Sequence, residues 1–382
     1  MKTPNCIEMI EQLVAIPSVS SINPELDMSN QGVIELLAEW LQPLGFQVEI
    51  SQLTNNPGKY NLIATAGSGD EGLVLSGHTD TVPFDEGRWS QDPFKLTRRD
   101  GKLYGLGVSD MKGFFAQAIE AVRDLDLNRL NQPLTILATA DEESTMNGAK
   151  ALVAENRRLG RHALIGEPTG LKPIRMHKGI AMETIRILGR SGHSSDPSFG
   201  VSALEGMHQV IGEILLWRDE LQRNHSNPEF KVDVPTLNLG RINGGDSPNR
   251  ICAQCELQID LRPLPGMDLD ELRGELSSRL NNLLRDSELK LEMEHGFDGT
   301  PAMETPKDAA IIQAAEELTG ENSISVSFGT EGPYLQQLGM DTVILGAGDI
   351  DVAHQPDEYL SEERIKPMVD ILQGMIHKFC LP

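Results

Sequence analysis

Cysteines, long apolar runs and a signal-like segment are scarce or missing from the sequence, and each absence excludes a class of protein. The 382 residues include 4 cysteines, too few and too scattered for a disulfide framework. No run approaches the roughly 18 apolar residues that a membrane-spanning helix requires. The opening residues, MKTPNCIEMIEQLVAIPSV, break their apolar stretch with acidic and amide side chains, unlike a secretory signal. We therefore expect a cytoplasmic protein.

Positive charge is also scarce, and this bears on the partners. The chain has 33 Lys and Arg against 57 Asp and Glu, a formal net charge of −24 that is spread along its length. A field of this sign repels nucleic acid and anionic membranes, so neither is expected to bind. The spacing of Cys252 and Cys255 can bind metal, but no second pair accompanies it. Since i and i+3 point to opposite faces of a strand, we expect structural cysteines.

The hydrophobic pattern predicts two kinds of domain. Up to about residue 170, buried strands such as GLVLSGH and PLTILATA alternate with helices such as MKGFFAQAIEAVRDL. From about 177 the strands alternate apolar and polar residues, and near 290 the first pattern returns. This predicts an α/β fold: a discontinuous doubly wound catalytic domain with a mixed sheet, formed by residues 1–176 and 290–382. Residues 177–289 would form an inserted, smaller α+β domain.

Histidine and acidic side chains follow successive predicted strands at the points where the strands end. Each alone has an ordinary explanation as a turn residue, a helix N-cap or a solvated acid. In open α/β sheets, however, the loops at the carboxyl ends of the strands form the binding crevice. The set therefore predicts one site, made of His78, Asp80, Asp110, Asp141, Glu142, Glu143, Glu167 and His354.

The donor types in this set favour a pair of divalent cations. Its two imidazoles together with three of its carboxylates, without a thiolate, suit Zn²⁺ or Co²⁺, and one carboxylate is available to bridge. Asp80 shares a strand face with His78, so it is expected to orient that imidazole from behind.

Six runs of the sequence carry a resemblance to a known family. SGHTDTVP, GLGVSDMKG, ATADEES, IGEPT, GRSGHSSDP and AHQPDEY resemble the di-zinc aminoacylase/carboxypeptidase family, in family order and over essentially the full chain. The resemblance implies hydrolysis of a linear amide such as an N-acyl amino acid, with two Zn²⁺ or Co²⁺ ions per subunit. By resemblance, Asp110 bridges the ions, His78 and Glu167 complete one site, and Glu143 and His354 complete the other.

The resemblance also assigns roles beyond the metal ligands. Glu142 is similar to the family's general base and Asp80 to its histidine-orienting acid. The inserted domain is expected to act as a lid and to form a homodimer, with His193 reaching the oxyanion of the partner subunit. Asn249 and Arg262 match further lid positions. The sequence gives no indication for or against glutathione as an additional cofactor.

The substrate suggested by the resemblance has an α-carboxylate and a distal ammonium group. An arginine fork can hold a carboxylate through two parallel hydrogen bonds, so Arg262, aided by Asn249, is expected to anchor it. Glu331 in FGTEGPY, at a strand–helix junction, is expected to bind the ammonium group. The alternative is that Glu331 is a first-turn helix acid that the helix dipole favours.

Other functions remain open at this point. Another deacylase, a desuccinylase or a metallo-dipeptidase of the same family would differ only in a few pocket residues. An inactive, metal-binding regulatory relative belongs to a different class, and the presence of Glu142 with all five ligands argues against it. A zinc-stabilised structural protein would require a thiolate-rich closed site, which the sequence lacks.

Overall fold

A computed structural model describes residues 3–54 and 56–382 of the chain. Among these residues, no helix is long and apolar enough to cross a membrane. The helices are α1 Cys6–Val14, α2 Gln31–Leu41, α3 Lys112–Val122, α4 Asn147–Ala154, α5 Ala203–Asn224, α6 Leu269–Leu284, α7 Ala310–Thr319, α8 Gly332–Gln337 and α9 Glu362–Cys380. The strands are β1 Gln47–Gln52, β2 Tyr60–Ala66, β3 Leu73–His78, β4 Thr97–Arg99, β5 Lys102–Tyr104, β6 Leu134–Thr139, β7 His162–Ile165, β8 Ile174–His177, β9 Ala181–Leu188, β10 Thr236–Gly244, β11 Gln254–Arg262, β12 Lys290–His295, β13 Met303–Glu304, β14 Ile324–Val326, β15 Asp341–Ile344 and β16 Tyr359–Ser361.

The chain divides into two compact units. The first comprises Met1–Arg175, Thr305–Ile324 and Thr330–Pro382, and the second comprises Met176–Glu304 and Ser325–Gly329. The second unit thus extends beyond the expected boundary at residue 289. It does so because β12 pairs with β9, which keeps this strand in the sheet of the second unit.

Parallel strands form the centre of the sheet in the first unit. Its order begins β1-β2-β6-β3-β7-β15-β8. The pairs β3–β6, β3–β7 and β7–β15 are parallel, while β1–β2, β2–β6 and β15–β8 are antiparallel. The predicted mixed α/β sheet is therefore confirmed. Four parallel strands end at the same edge, and the loops that follow them carry the candidate site.

Amphipathic helices cover this sheet, and their sequences explain why they form. Helix α1 begins with a capping box, in which Asn5 Oδ1 accepts from the Glu8 amide and Glu8 Oε2 accepts from the Asn5 amide. Its apolar face is buried, as is the face of α2 that contains Val33, Leu37 and Trp40. Helix α3 is buried nearly all round, because it contacts α1, α9 and β3.

The second unit has a sheet of order β10-β11-β9-β12, in which all neighbours are antiparallel. One face is apolar, as the alternating burial of β9 and β11 shows, and it packs with α5 and α6 in a separate core. Cys252 and Cys255 belong to this core, where both are buried free thiols. Strand β10 lies at one edge of the sheet.

Candidate metal centre

The carboxyl edge of the parallel strands brings the predicted ligands together. His78 is the last residue of β3, Glu143 lies in the turn after β6, and Glu167 follows β7. Asp110 precedes α3, and His354 lies in the loop after β15. The adjacent parallel strands β6, β3, β7 and β15 deliver four of these five side chains, which is why residues far apart in the sequence become neighbours.

One half of the cluster is centred on His78. Its Nε2 atom lies 3.1 Å from Asp110 Oδ1 and 3.8 Å from Glu167 Oε1. Its Nδ1 atom lies 3.0 Å from the carbonyl oxygen of Asp80. Because a carbonyl oxygen can only accept, that contact places the proton on Nδ1 and leaves the Nε2 lone pair for a cation.

The other half is centred on His354. Its Nε2 atom lies 3.3 Å from Asp110 Oδ2 and 2.9 Å from Glu143 Oε1. The two oxygens of Asp110 therefore face different histidines, as a bridging carboxylate requires. Neighbouring ligand atoms of a tetrahedral site with metal–ligand distances of about 2.0–2.2 Å lie roughly 3.3–3.6 Å apart. The contacts in both halves scatter about that separation.

Glu142 lies beside the cluster in a buried position. Its carboxylate, His78 and Glu167 have ligand atoms within 4.8 Å of one another, as have His78, Asp110 and Glu143. These groupings differ from the pairing that the resemblance implies. We favour the implied pairing, because Glu143 is in direct contact with His354 and Asp110 has one oxygen toward each histidine.

Excess negative charge dominates the electrostatics of this cluster. Burial raises the pKa of the Glu142, Glu143 and Glu167 carboxyls, and neighbouring acids raise it further. Hydrogen bonds to Asp110 and Glu143 raise the pKa of His354 to about 11.

His78 and Asp110 show the same imbalance. Burial opposes a proton on His78, but Asp110 and the nearby acids raise its pKa well above the usual value. Burial likewise opposes charge on Asp110, yet its contacts with the two histidines lower its pKa. A cluster with this excess of buried acids requires added positive charge, and the donor set fits two divalent cations.

Asp80 supports the site differently from the expectation. The contact with His78 Nδ1 comes from the carbonyl oxygen of Asp80, while the closest carboxylate oxygen is 3.7 Å from Nδ1. The carboxylate instead accepts from the backbone amides of Glu142 and Glu143, at 3.3 and 3.1 Å. Asp80 thus orients the imidazole through its backbone and holds the acidic turn through its side chain.

Two buried groups near the site were missed by the sequence reasoning. Glu358 is 1% exposed, and its carboxylate accepts from the amides of Gly107, Ser109 and Asp110 at 3.1, 2.7 and 3.0 Å. It thereby fixes the loop that carries Asp110. The other group is Lys59, which binds the first acid of the Asp-Glu-Glu turn. No local pattern marks either residue, since both contacts span long stretches of chain.

The expectation that Glu331 binds a substrate ammonium group is not supported by its position. Glu331 is 1% exposed. One carboxylate oxygen accepts from Ser76 Oγ, and the other accepts from Thr139 Oγ1 at 2.7 Å. Both oxygens are therefore engaged inside the sheet, on β3 and β6. We interpret Glu331 as a buried structural acid beneath the cluster, and burial raises its pKa despite these hydrogen bonds.

The predicted lid residues lie in the second unit and form two separate groups. His193 and Asn249 are exposed and adjacent, since the Ser194 amide donates to the Asn249 carbonyl oxygen at 3.2 Å. Arg262 ends the nine-residue strand β11, whereas the Asn249 loop precedes its first residue. At about 3.4 Å per residue, β11 separates them by roughly 27 Å. Within one chain Asn249 cannot assist Arg262, whose Nε binds Asp260 at 2.9 Å.

With this geometry in place, comparison with known proteins identifies the family. Residues 74–378 match the profile of peptidase family M20/M25/M40. The chain is 50% identical to a protein named acetylornithine deacetylase from Pasteurella multocida, over 99% of both chains. It is also 50% identical to one of the same name from Edwardsiella ictaluri, over 99% of this chain and 98% of the relative. The chain belongs to this family.

Solved structures show that the family fold extends over nearly the whole chain. The aminopeptidase PepT from Bacillus cereus matches with a TM-score of 0.77 and 19% identity, covering 98% of both chains. A Bacillus subtilis protein described as a dinuclear metal-binding M20 peptidase matches with a TM-score of 0.67 and 16% identity, covering 98% and 97%. At these identities the likeness concerns the fold alone. The family expected from the sequence motifs is confirmed.

The ligand assignment can be tested by metal analysis. We expect His78→Ala and His354→Ala each to lose one of two bound ions, because each histidine contacts a different oxygen of Asp110. The fold should persist, since both residues lie at strand ends or in loops. His377→Ala, which removes an exposed histidine of α9, is the control and should retain both ions. Retention of two ions by either site variant would contradict the assignment.

Proposed function

We propose that the protein hydrolyses N2-acetyl-L-ornithine to L-ornithine and acetate, a step of arginine biosynthesis. The observation that supports this substrate is about 50% identity, over essentially full length, to relatives named acetylornithine deacetylase. The chemistry is supported by a cluster of buried carboxylates with the buried His78 and the half-exposed His354, and by a further acid, Glu142, beside it. The cytoplasmic location stays a prediction.

Five residues would hold two Zn²⁺ or Co²⁺ ions. His78 and Glu167 would bind one ion, Glu143 and His354 the other, and Asp110 would contact both. Bound in this way, the ions would lower the pKa of a shared water and polarise the amide carbonyl.

Glu142 is suited to move the proton. Burial raises the pKa of its carboxyl well above the usual value, so this group binds a proton more readily than an exposed glutamate does. In the proposed reaction its carboxylate takes the proton of the attacking water and later donates it to the departing nitrogen. Glu143 is committed to His354, and Glu167 faces His78, so Glu142 is the acid of the turn that remains for this task.

The inserted unit is proposed to supply the remaining contacts through a homodimer. It has an edge strand, β10, and exposed apolar side chains at Leu204, Leu216 and Ile242, which are 44%, 60% and 53% exposed. A second copy would cover these groups. We propose that His193, aided by Asn249, acts on the carbonyl oxygen in the partner subunit, while Arg262 binds the substrate carboxylate.

A panel of N-acyl amino acids, assayed with Zn²⁺ or Co²⁺, tests the proposed activity. N-acetylornithine should have the highest kcat/KM, ahead of N-acetylmethionine, N-succinyl-diaminopimelate and dipeptides. A preference for the succinylated substrate or for dipeptides would assign the chain to another activity of the same family. No turnover of any member, with both ions bound, would instead favour a regulatory relative.

The role of Glu142 predicts a specific kinetic defect. Glu142→Gln keeps the size of the side chain but cannot accept the proton, so kcat should fall by on the order of 10²–10⁴. Metal content and KM should change little. The matched control is Glu183→Gln, a buried acid of the second unit that binds Arg273 Nε at 2.7 Å, and it should preserve kcat. Near-wild-type turnover of Glu142→Gln would assign the base to another residue.

The proposed homodimer predicts complementation between two inactive variants. When His193→Ala and Glu142→Gln subunits exchange, each hybrid dimer has one site with both residues intact. Activity should recover to roughly a quarter of the wild-type level, because half of randomly formed dimers are hybrids. Sedimentation should show a dimer. Absence of recovery after demonstrated subunit exchange would mean that His193 acts within its own subunit or has no catalytic role.

A further inference from the structure

A lysine without solvent access lies behind the acidic turn. Lys59 is 1% exposed, and its Nζ atom is 2.7 Å from Asp27 Oδ1 and 2.8 Å from Asp141 Oδ1. The side chain of Asp141 is 2% exposed, whereas that of Asp27 is 27% exposed. A buried cation keeps its charge only when it is paired, and these two acids provide the pairing.

Asp141 has an unusual backbone conformation, and its side chain is held by several donors. Its φ angle is +58°, in the left-handed region that most side chains avoid. Besides Lys59, its carboxylate accepts from Ser20 Oγ at 3.0 Å and from Asn56 Nδ2 at 2.6 Å. Such a conformation persists only when the surroundings determine it, so these contacts fix the direction in which the chain leaves β6.

The next two residues along the chain are Glu142, the proposed base, and Glu143, a proposed metal ligand. The carbonyl oxygen of Asp141 accepts from the amides of Thr145 and Met146 at 3.0 and 2.7 Å, which closes the turn around Glu142 and Glu143. Glu143 would gain a second restraint from a bound cation. Glu142 has no such restraint, because as the base it must stay free to take up and release a proton.

From this geometry we propose that Lys59 is a positioning residue, which sets the orientation of Glu142 by anchoring Asp141. This inference rests on the proposed function of Glu142. We call the contact of Lys59 with Asp27 and Asp141 the anchor. Three segments meet there: the loop of Asp27, the residue before β2 and the turn after β6. The loop of Asp27 also follows Ser20, whose amide donates to the Thr81 carbonyl oxygen at 2.9 Å, beside the ligand loop of β3. The anchor therefore joins the segments on both sides of the base.

The proposal predicts a defect in turnover that added metal does not repair. Lys59→Met leaves Asp141 buried without its cation, so the turn relaxes. At saturating Zn²⁺, bound metal should return Glu143 to its position while Glu142 stays misplaced. We expect two ions per subunit, a KM within about threefold of wild type, and kcat lower by on the order of 10²-fold, as for a small misplacement of a catalytic group. Competition with a chelator should show weaker metal binding before saturation.

A double-mutant cycle separates this role from a general loss of stability. Asp141→Asn should lower kcat similarly, and Lys59→Met/Asp141→Asn should be no worse than the worse single variant, since both act through one contact. Leu372→Ala, which creates a cavity in the core of the same unit, is the stability control. Its melting temperature should fall with no change in kcat. Additive losses in the cycle, or a kcat loss in Leu372→Ala equal to that of Lys59→Met, would overturn the proposal.

Asp27→Asn provides a milder variant if Lys59→Met does not fold. It weakens the anchor from the more exposed side and should lower kcat in the same direction by a smaller factor. Unchanged kcat in this variant, or in folded Lys59→Met, would refute the role of Lys59. Failure of the proposed function is distinguishable, because wild-type protein with two bound ions would then not hydrolyse N-acetylornithine. The chelator competition would still report whether Lys59 organises the turn.

Discussion

The structure depends on one electrostatic constraint, the concentration of acidic side chains at the carboxyl edge of a parallel sheet. Asp110, Glu142, Glu143 and Glu167 lie together where solvent is largely excluded, with two histidines among them. Like charges in such a volume repel strongly unless cations lie between them. The divided orientation of Asp110, one oxygen toward each histidine, is the arrangement that two cations would use.

The loops that carry these acids are held mainly by hydrogen bonds that backbone amides donate. Parallel strands bring their carboxyl ends to one edge, so residues separated by up to 276 positions, such as His78 and His354, can share Asp110. The carboxyl groups of Asp80 and Glu358 hold the loops by accepting hydrogen bonds from backbone amides. Both supports are carboxyl groups behind the ligands, and burial raises the pKa of each.

The sequence predicted the features that depend on local pattern, and it failed where distant contacts decide. The strand pattern placed His78 and Glu167 at strand ends, and the parallel pairing of the strands brings these ends together. Lys59 could not be found in this way, because a lysine at the start of a strand is ordinarily exposed and its partner lies 82 residues away. The strand–helix junction at Glu331 can be recognised in the sequence, so Glu331 was expected in the crevice. Its hydrogen bonds with Ser76 and Thr139 cannot be recognised there. The length of β11 likewise separates Asn249 from Arg262.

The pairing of Asp141 with Lys59 has a consequence for how the site is organised before any ion arrives. Of three consecutive acids, the first is neutralised by the protein itself, which leaves two to face the metal volume. The turn can therefore reach its working shape during folding rather than during loading. Much of the conformational entropy is then lost on folding, and an incoming cation meets a preorganised set of oxygens. A chain without that lysine would have to order the turn and bind the ion in the same event.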